Sequence, residues 1–564
     1  MLDEFLSEAR VAYFSMEIAL RNEIPTYAGG LGVLAGDTLR SAADLSLPLV
    51  AVTLVSRAGY FRQELDAAGR QIEHPALWDP ARWAAPLDAK VAVHIEDRPV
   101  WVGAWLYVVE SDLGGRAPVI LLDTDFAENA PADREITHVL YGGDDRYRLM
   151  QEMILGLGGV RMLRALGFDI SAYHMNEGHS ALLGLELLRR FTHPVNELRS
   201  GESRYDVLRV RQLCRFTTHT PVEAGHDCFP YELVERLFRG GAAGDGSVAV
   251  LDLEEIRKLG GTEGLNMTQL ALSLSDFVNG VAKRHAEVSA RMYPGYRVRA
   301  ITNGVHPYTW TAPAFRALYD RHTPGWFHEP ELLTRAESIP DEEILAAHGR
   351  ARQALIERVR ELTGVALAAD VPIVGFARRM TAYKRPELLF TDPERLQAIA
   401  REHPFQVVLA GKAHPKDEEG KRLIALLHSQ AQALRAALPV AYLPDYDLSL
   451  AQLLVAGSDV WLNTPLPPFE ASGTSGMKAA FNGVPSLSVL DGWWVEGCIE
   501  NVTGWSIDGA DTLYEKLAHT VLPLFYQRAS GGWIRLMKGA ITHNAVYFNS
   551  HRMMRRYATE AYLR

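Results

Sequence analysis

Cysteine is nearly missing from this sequence: Cys214, Cys228 and Cys498 are all that 564 residues contain. An odd, widely spaced set gives no disulfide framework and suits a reducing cytoplasm. Long apolar runs are missing too. The densest near the start, residues 47–55, is far too short to cross a bilayer and reads as a buried strand, so no membrane partner is expected. The opening residues carry Asp3, Glu4 and Glu8 with no basic or apolar leader region, so no secretory signal is expected. Positive charge is in deficit, with 58 Lys and Arg against 69 Asp and Glu and a formal net charge of −11. An acidic surface repels a phosphate backbone, which argues against nucleic acid and leaves a neutral polymer open as a partner. Any anionic ligand then needs a local cationic pocket. No HExxH pair is present, and His174 and His179 do not share a helix face, so no metal site is expected.

What is present is an ordinary globular mixture, 48% apolar and 23% charged, long enough for two large domains. Short β-rich runs alternate with helical patterns, as in parallel sheets covered by helices. In the C-terminal half, strands are predicted at 371–376, 405–410, 440–443, 459–462 and 485–490, with helices at 386–402, 417–437 and 448–456 and near Lys478. In the N-terminal half, strands at 11–14 and 49–53 flank a glycine-rich turn and a helix over about 33–45, with further strands at 106–109 and 119–122. Residues 311–370, with Pro313, Pro324, Pro330 and Pro340, read as a connector leading into helices. The boundary is placed near 310, giving domains 1–310 and 311–564. The helical run 533–564 is expected to pack back across either domain. Two doubly wound domains facing each other make a cleft, with ligands at the carboxyl ends of the strands.

Three segments could carry chemistry. In Glu470-Ala-Ser-Gly-Thr-Ser-Gly-Met-Lys478, glycines free the backbone to present amides at a helix start, an anion site. Lys478 in the first helical turn is easier to deprotonate, as imine formation with an aldehyde cofactor requires, and Glu470 could hydrogen-bond a ligand hydroxyl. A capped strand–turn–helix with a solvated lysine is the plainer alternative. Arg378-Arg-Met-Thr-Ala-Tyr-Lys-Arg385 places four cations at a strand end, suited to phosphate; a solvated basic loop is its alternative. Tyr27-Ala-Gly-Gly-Leu-Gly-Val-Leu-Ala-Gly36 fits a loose GxGxxA pattern, but no acidic residue ends the next strand. A phosphate-binding glycine loop survives that objection and a nicotinamide site does not; a tight turn packing helix on sheet is the alternative. His219, at a strand end before Pro221, is a reasonable ligand-facing position, and Asn303-Gly304 reads as a turn.

Taken together and in order, these segments resemble the glycogen and starch phosphorylase family in its short bacterial form, from Tyr13-Phe-Ser-Met-Glu17 to Leu490-Asp-Gly492 and beyond. The resemblance implies a GT-B fold of two Rossmann-like domains, phosphorolysis of α-1,4-glucan or maltooligosaccharide to glucose 1-phosphate with retention, and pyridoxal 5'-phosphate as cofactor. It implies Lys478 as the cofactor lysine. Arg379 and Lys384 match residues holding substrate and cofactor phosphate, and Gly30, with Leu31 beside it, matches an amide facing that phosphate. Glu470, Ser472, Gly473, Asn303 and His219 match contacts to the terminal glucose. Thr474, Ser475 and Trp310 match positions near the cofactor, as does Tyr446; His179 matches an acceptor-site position, and Tyr383 flanks the phosphate loop. Arg378 stands where larger relatives carry a lysine, Asp447 where regulated ones carry an arginine, and Ala19 where those have a tyrosine. The chain begins shortly before Tyr13, without the N-terminal arm that carries phosphorylation and nucleotide control in animal relatives, so regulation through it is not expected; a homo-oligomer is compatible with all of this. Two competing readings are a nucleotide-sugar glycosyltransferase of the starch synthase type, which would have no use for Lys478, and a catalytically silent glucan-binding protein.

Overall fold

In the computed structural model, residues 2–194, 196, 198–199, 202–222, 225–239 and 253–563 are described. Two large sheets organise them. The first contains β1 (Val11–Phe14), β2 (Leu49–Leu54), β3 (Ala85–Ile95), β4 (Arg98–Glu110), β5 (Arg116–Asp123), β6 (Ala172–Asn176), β7 (Cys214–Thr217), β8 (Phe277–Gly280) and β9 (Val298–Ala300). Their order is β9-β8-β7-β6-β1-β2-β5-β4-β3. The strands from β9 to β5 are parallel, and β4 and β3 extend the edge as antiparallel strands. The second contains β10 (Ile373–Ala377), β11 (Gln406–Ala410), β12 (Val440–Leu443), β13 (Val460–Asn463), β14 (Ser486–Val489) and β15 (Gly504–Ile507). All are parallel, in the order β12-β11-β10-β13-β14-β15.

Central parallel strands are covered on both faces, and the sequence meets that with unbroken apolar runs: all six residues of β2 and all five of β10 are buried. Counting only parallel strands along the chain, both sheets run 3-2-1-4-5-6, with a seventh strand in the first. The order reverses between β1 and β6 in one sheet and between β10 and β13 in the other. Loops leaving the carboxyl ends of such a pair diverge and leave a crevice, the place where open α/β sheets bind ligands. Residues 15–17, 177–179, 378–385 and 464–478 leave these four strand ends.

Several predicted elements are corrected. The helix expected over 386–402 begins only at Pro393, because Asp392 caps it by accepting from the Arg395 amide and Pro393 occupies its first turn. The helix expected from 33 begins at Gly30, so Gly30 and Leu31 are its first residues rather than part of a loop. Residues 311–370, expected to lead into helices, hold the helices Pro313–His322 and Asp341–Thr363. Strands β3, β6, β8, β9 and β15 were not anticipated.

The helix Ser550–Tyr557 packs on the helix Gly30–Asp44, with the Ser550 and Ser41 hydroxyls 2.5 Å apart. Beside them Asp44 Oδ2 accepts from His306 Nε2 at 2.6 Å and His551 Nε2 at 2.8 Å, and Oδ1 accepts from Ser111 at 2.5 Å. These three buried side chains could geometrically hold a cation. The ligating atoms, however, are already engaged with one another, and His551 Nδ1 donates to the His328 carbonyl. The cluster is therefore complete as a hydrogen-bonded ion-pair network.

Candidate active site

The anion end of the site starts from helix geometry. The first amides of the helix Gly30–Asp44 have no intrahelical partner. Ala28 and Gly29 donate to Glu17 Oε2 at 2.6 and 3.1 Å. Gly30 and Leu31 have no such acceptor among the described residues, and no heavy atom lies within 4 Å of where a Cβ on Gly30 would sit. The positive end of a 15-residue helix thus opens on free space.

The cationic loop after β10 is stapled to the loop after β13. Arg385, in the left-handed region at φ 45°, donates to the Thr464 and Pro465 carbonyls at 2.9 and 2.8 Å. The Leu466 amide donates to the Tyr383 carbonyl at 2.8 Å. Arg385 is therefore structural, which leaves three cations for a ligand. Arg379 is exposed to solvent yet has Tyr383, Tyr60 and Glu17 within electrostatic reach, as a group in a solvent-filled concavity would.

Arg378 and Lys384 do not wait unpaired. Lys384 Nζ donates to Glu470 Oε1 and Oε2 at 2.8 and 2.7 Å, and Arg378 Nη2 donates to Oε2 at 2.6 Å. Glu470, expected from sequence to face a ligand hydroxyl, also anchors this trio. Burial alone would raise its carboxyl, but the two cations overcome that and hold it at about 2. Arg378 Nε and Nη1 remain buried without a partner among the described residues. Tyr383 is held low for the same reason: Lys384 and Arg379 outweigh its burial.

The Glu470 loop then turns into the short helix Ser475–Ala480. Gly473 takes φ +81°, which a side chain would resist. Trp461 Nε1 donates to Ser475 Oγ at 2.9 Å, and Thr474 is the residue before the helix. Lys478 is its fourth residue, 7% exposed, with no hydrogen bond to its amine among the described residues. The amine lies 3.8 Å from the centre of the Trp310 ring. Burial pulls it down to about 8, while Asp37 pulls it up and Arg40 further down. Asn482 fixes this arrangement: its amide nitrogen donates to the Trp310 carbonyl at 2.8 Å and its oxygen accepts from the Ala312 amide at 2.7 Å.

Further groups carry unsatisfied polar atoms, as hydroxyl-rich ligand walls do before occupation. Ser472 Oγ, Asn303 Oδ1, Thr218 Oγ1 and His179 Nδ1 are buried without a partner among the described residues. His219 Nε2 donates to Asn176 Oδ1 at 2.7 Å, leaving Nδ1 an acceptor. Burial, with His285, His174 and His179 nearby, holds His219 at about 3; burial and Arg148 do the same for His179. Both rings are neutral at physiological pH and serve as hydrogen-bonding groups rather than acids. Tyr446 lies within electrostatic reach of Arg378.

Sequence reasoning missed four residues here. Glu17 ties Ala28, Gly29 and the Tyr141 hydroxyl together. Glu177, at φ +74°, accepts from the His219 amide and Thr220 hydroxyl at 2.8 and 2.9 Å. Asp37, 1% exposed, accepts from Trp310 Nε1 at 2.7 Å. Asp227 pairs with Arg148 at 2.9 Å and lies 3.6 Å from His179. Glu17 follows the end of β1, a strand predicted from sequence, and that signal could have found it; Glu177 follows β6, a strand not predicted from sequence, and for Asp37 and Asp227 no local pattern exists.

The residues present fit a phosphorylated aldehyde cofactor. Lys478 supplies a buried amine close to neutrality, and Arg378 supplies unpaired guanidinium N–H groups. Comparison with known proteins decides the family. Residues 248–504 match the model of the carbohydrate phosphorylases. The chain is 38% identical to the maltodextrin phosphorylase of Thermococcus litoralis, over 98% of this chain and 70% of that one. It is 36% identical to the glycogen phosphorylase of Aquifex aeolicus, over 98% and 86%, and 37% identical to that of Mycobacterium tuberculosis, over 98% and 70%. This chain belongs to the carbohydrate phosphorylase family. Membership accounts for a feature of this carbohydrate phosphorylase that net charge alone leaves unexplained: an acidic chain concentrates Arg378, Arg379 and Lys384 and a helix N-terminus at two strand-order reversals.

Proposed function

We propose that this chain is an α-1,4-glucan phosphorylase, using inorganic phosphate to release α-D-glucose 1-phosphate, with retention, from terminal glucose of a glucan or maltooligosaccharide. We infer a GT-B arrangement, with domains 1–310 and 311–564 facing across a cleft; the reach of Arg379 to Glu17 and Tyr60 supports it. The observation that carries the reading is the trio Arg378, Lys384 and Glu470, whose carboxylate lies on the same strand–loop–helix as the buried amine of Lys478.

In this reading Arg379, Lys384 and the Gly30 and Leu31 amides hold the substrate phosphate. Asn303, Ser472, Gly473, His219 and Glu470 hold the terminal glucose, and His179 the acceptor side. A phosphate O–H gives its proton to the glycosidic oxygen, the C1–O bond breaks, and a phosphate oxygen bonds C1 on the same face. Lys478, Thr474, Ser475, Trp310, Tyr446 and Arg378 would hold pyridoxal 5'-phosphate. Bound there, it supplies a second phosphate as proton partner to the first. Arg379 and Lys384 reduce the repulsion between the two dianions. Burial of Lys384, Glu470, Ser472 and Asn303 restricts water, which would otherwise hydrolyse the sugar.

Incubation with phosphate and a maltooligosaccharide series should give glucose 1-phosphate in proportion to phosphate added. Free glucose without phosphate, or transfer only from a nucleotide sugar, overturns the reading.

A further inference from the structure

Asp37 sits mid-helix, where an acidic side chain is ordinarily solvated. Here it is 1% exposed, and its strongest contact is the Trp310 indole N–H at 2.7 Å, with Arg40 farther at 3.4 Å. The other side of the relation is Lys478, whose amine lies over the same indole at 3.8 Å with no hydrogen bond among the described residues. One carboxylate thus acts on the lysine in two ways. It fixes the plane on which the amine rests, and it places a negative charge near the amine. Because the indole N–H occupies Oδ2, that charge is held back from a direct ion pair.

We propose that Asp37 is a positioning residue for Lys478, acting through Trp310 to keep the amine both placed and reactive; this rests on the assignment of Lys478 as the cofactor lysine. A direct ion pair would lock the lysine as ammonium, unable to attack a carbonyl. Loss of the charge altogether would leave a buried amine with only the indole face and Arg40 nearby, and its proton would leave too readily to keep the nitrogen in place. The indole between them sets an intermediate state. Burial and Asp37 pull the amine in opposite directions, in agreement with this geometry.

The proposal separates charge from shape. Asp37→Asn keeps an oxygen for the indole N–H and removes the charge. Trp310→Phe keeps a ring face and frees the carboxylate to reach the amine. Reductive methylation of Lys478 by formaldehyde and cyanoborohydride across pH, read on its peptide by mass spectrometry, reports the proton affinity of the amine in the protein as purified without cofactor. The midpoint is expected to fall by about one pH unit in Asp37→Asn and to rise in Trp310→Phe, with Asp37→Glu returning toward the parent. Circular dichroism confirms folding, and the opposite signs distinguish charge effects from general loosening. Midpoints unchanged in both variants, or moving in the same direction, overturn the proposal. A second arm adds pyridoxal phosphate to the parent and follows near-ultraviolet absorbance. Absence of a bound band there would refute the cofactor assignment, whereas the methylation midpoints judge Asp37 independently.

Discussion

Replacing Glu470 by Gln keeps the shape of the side chain and leaves two cations facing a buried amide. In the parent the carboxylate makes three contacts of 2.6–2.8 Å with Arg378 and Lys384. Its carboxyl lies at about 2 against an ordinary value near 4.3, which corresponds to about 3 kcal/mol. That agrees with the roughly 3–5 kcal/mol lost when one partner of a buried ion pair is removed. At roughly 2.1 cal/mol/K per residue, unfolding the 564-residue chain as one unit carries an entropy of about 1.2 kcal/mol per degree. The variant should then melt about 2–3 °C below the parent, and roughly twice that if only half the chain unfolds. The decisive measurement is its response to inorganic phosphate. With the internal anion gone, phosphate becomes the best counter-charge for Arg378 and Lys384, so phosphate should raise the melting temperature of Glu470→Gln more than that of the parent. The sign in pH follows from a depressed carboxyl: the parent keeps this contribution above about 4.3 and loses it as pH falls toward 2. Equal melting temperatures with equal phosphate responses would refute the reasoning, because the trio would then store no electrostatic energy.

Lys478→Ala should purify folded, without near-ultraviolet absorbance from a bound cofactor and without phosphorolysis; normal cofactor content in that variant would contradict the assignment. Arg379→Ala and Lys384→Ala each remove a charge-assisted contact of roughly 1.5–3 kcal/mol and should chiefly raise the phosphate concentration needed for half-maximal rate, whereas Arg385→Ala, whose guanidinium is spent on Thr464 and Pro465, should lower the melting temperature and leave that concentration nearly unchanged. Covalent uptake of pyridoxal phosphate by cofactor-free protein should quicken about tenfold per pH unit below neutrality and level off above about 8, where Lys478 has lost its proton; a rate independent of pH would show the amine to be neutral throughout.

The second sheet was largely legible because its strands are buried on both faces and so appear as unbroken apolar runs, as in Val407, Val408 and Leu409 of β11. Strand β15 escaped because it opens on Gly504 and places Ser506 between its two apolar residues, Trp505 and Ile507. Strand β3 escaped because Asp88 and Lys90 interrupt an exposed edge on which no face needs to be consistently apolar. The misplaced start at 386 shows a stronger local signal overriding periodicity: Asp392 followed by Pro393 is a helix beginning, whatever apolar spacing precedes it. At the site, Glu470 and Lys478 were legible because a glycine-bounded loop must lie between a strand and a helix. The pairing of Glu470 with Arg378 and Lys384 was not, since 86 residues separate Glu470 from Lys384 and only the sheet order brings β10 beside β13. Glu177 was illegible for another reason: a positive φ in a non-glycine residue is imposed by its surroundings and leaves no trace in residue type.

The helix Gly30–Asp44 explains why such costly buried acids persist. Seven residues turn an α-helix through nearly two full turns, drifting only about 20°, so Gly30, Asp37 and Asp44 share one face. Gly30 opens on the anion space, Asp37 holds Trp310, and Asp44 holds His306 and His551. Trp310 and His306 belong to one short segment that also carries Asn303, whose carbonyl accepts from Arg552 at 2.9 Å. Gly304 in that segment lies so close to the Asn549 backbone that a side chain would collide with it. The segment is thus tied through Trp310 and His306 to the helix Gly30–Asp44, and through Asn303 to the helix Ser550–Tyr557 that packs on it. Under the proposed function, phosphate, sugar and lysine contacts are then measured from one element. Retention at C1 requires phosphate to give a proton and attack from the same face, which tolerates little error in distance. Asp44, buried beside His306 and His551, ties the far end of the helix to the same segment and so serves that requirement in the proposed function.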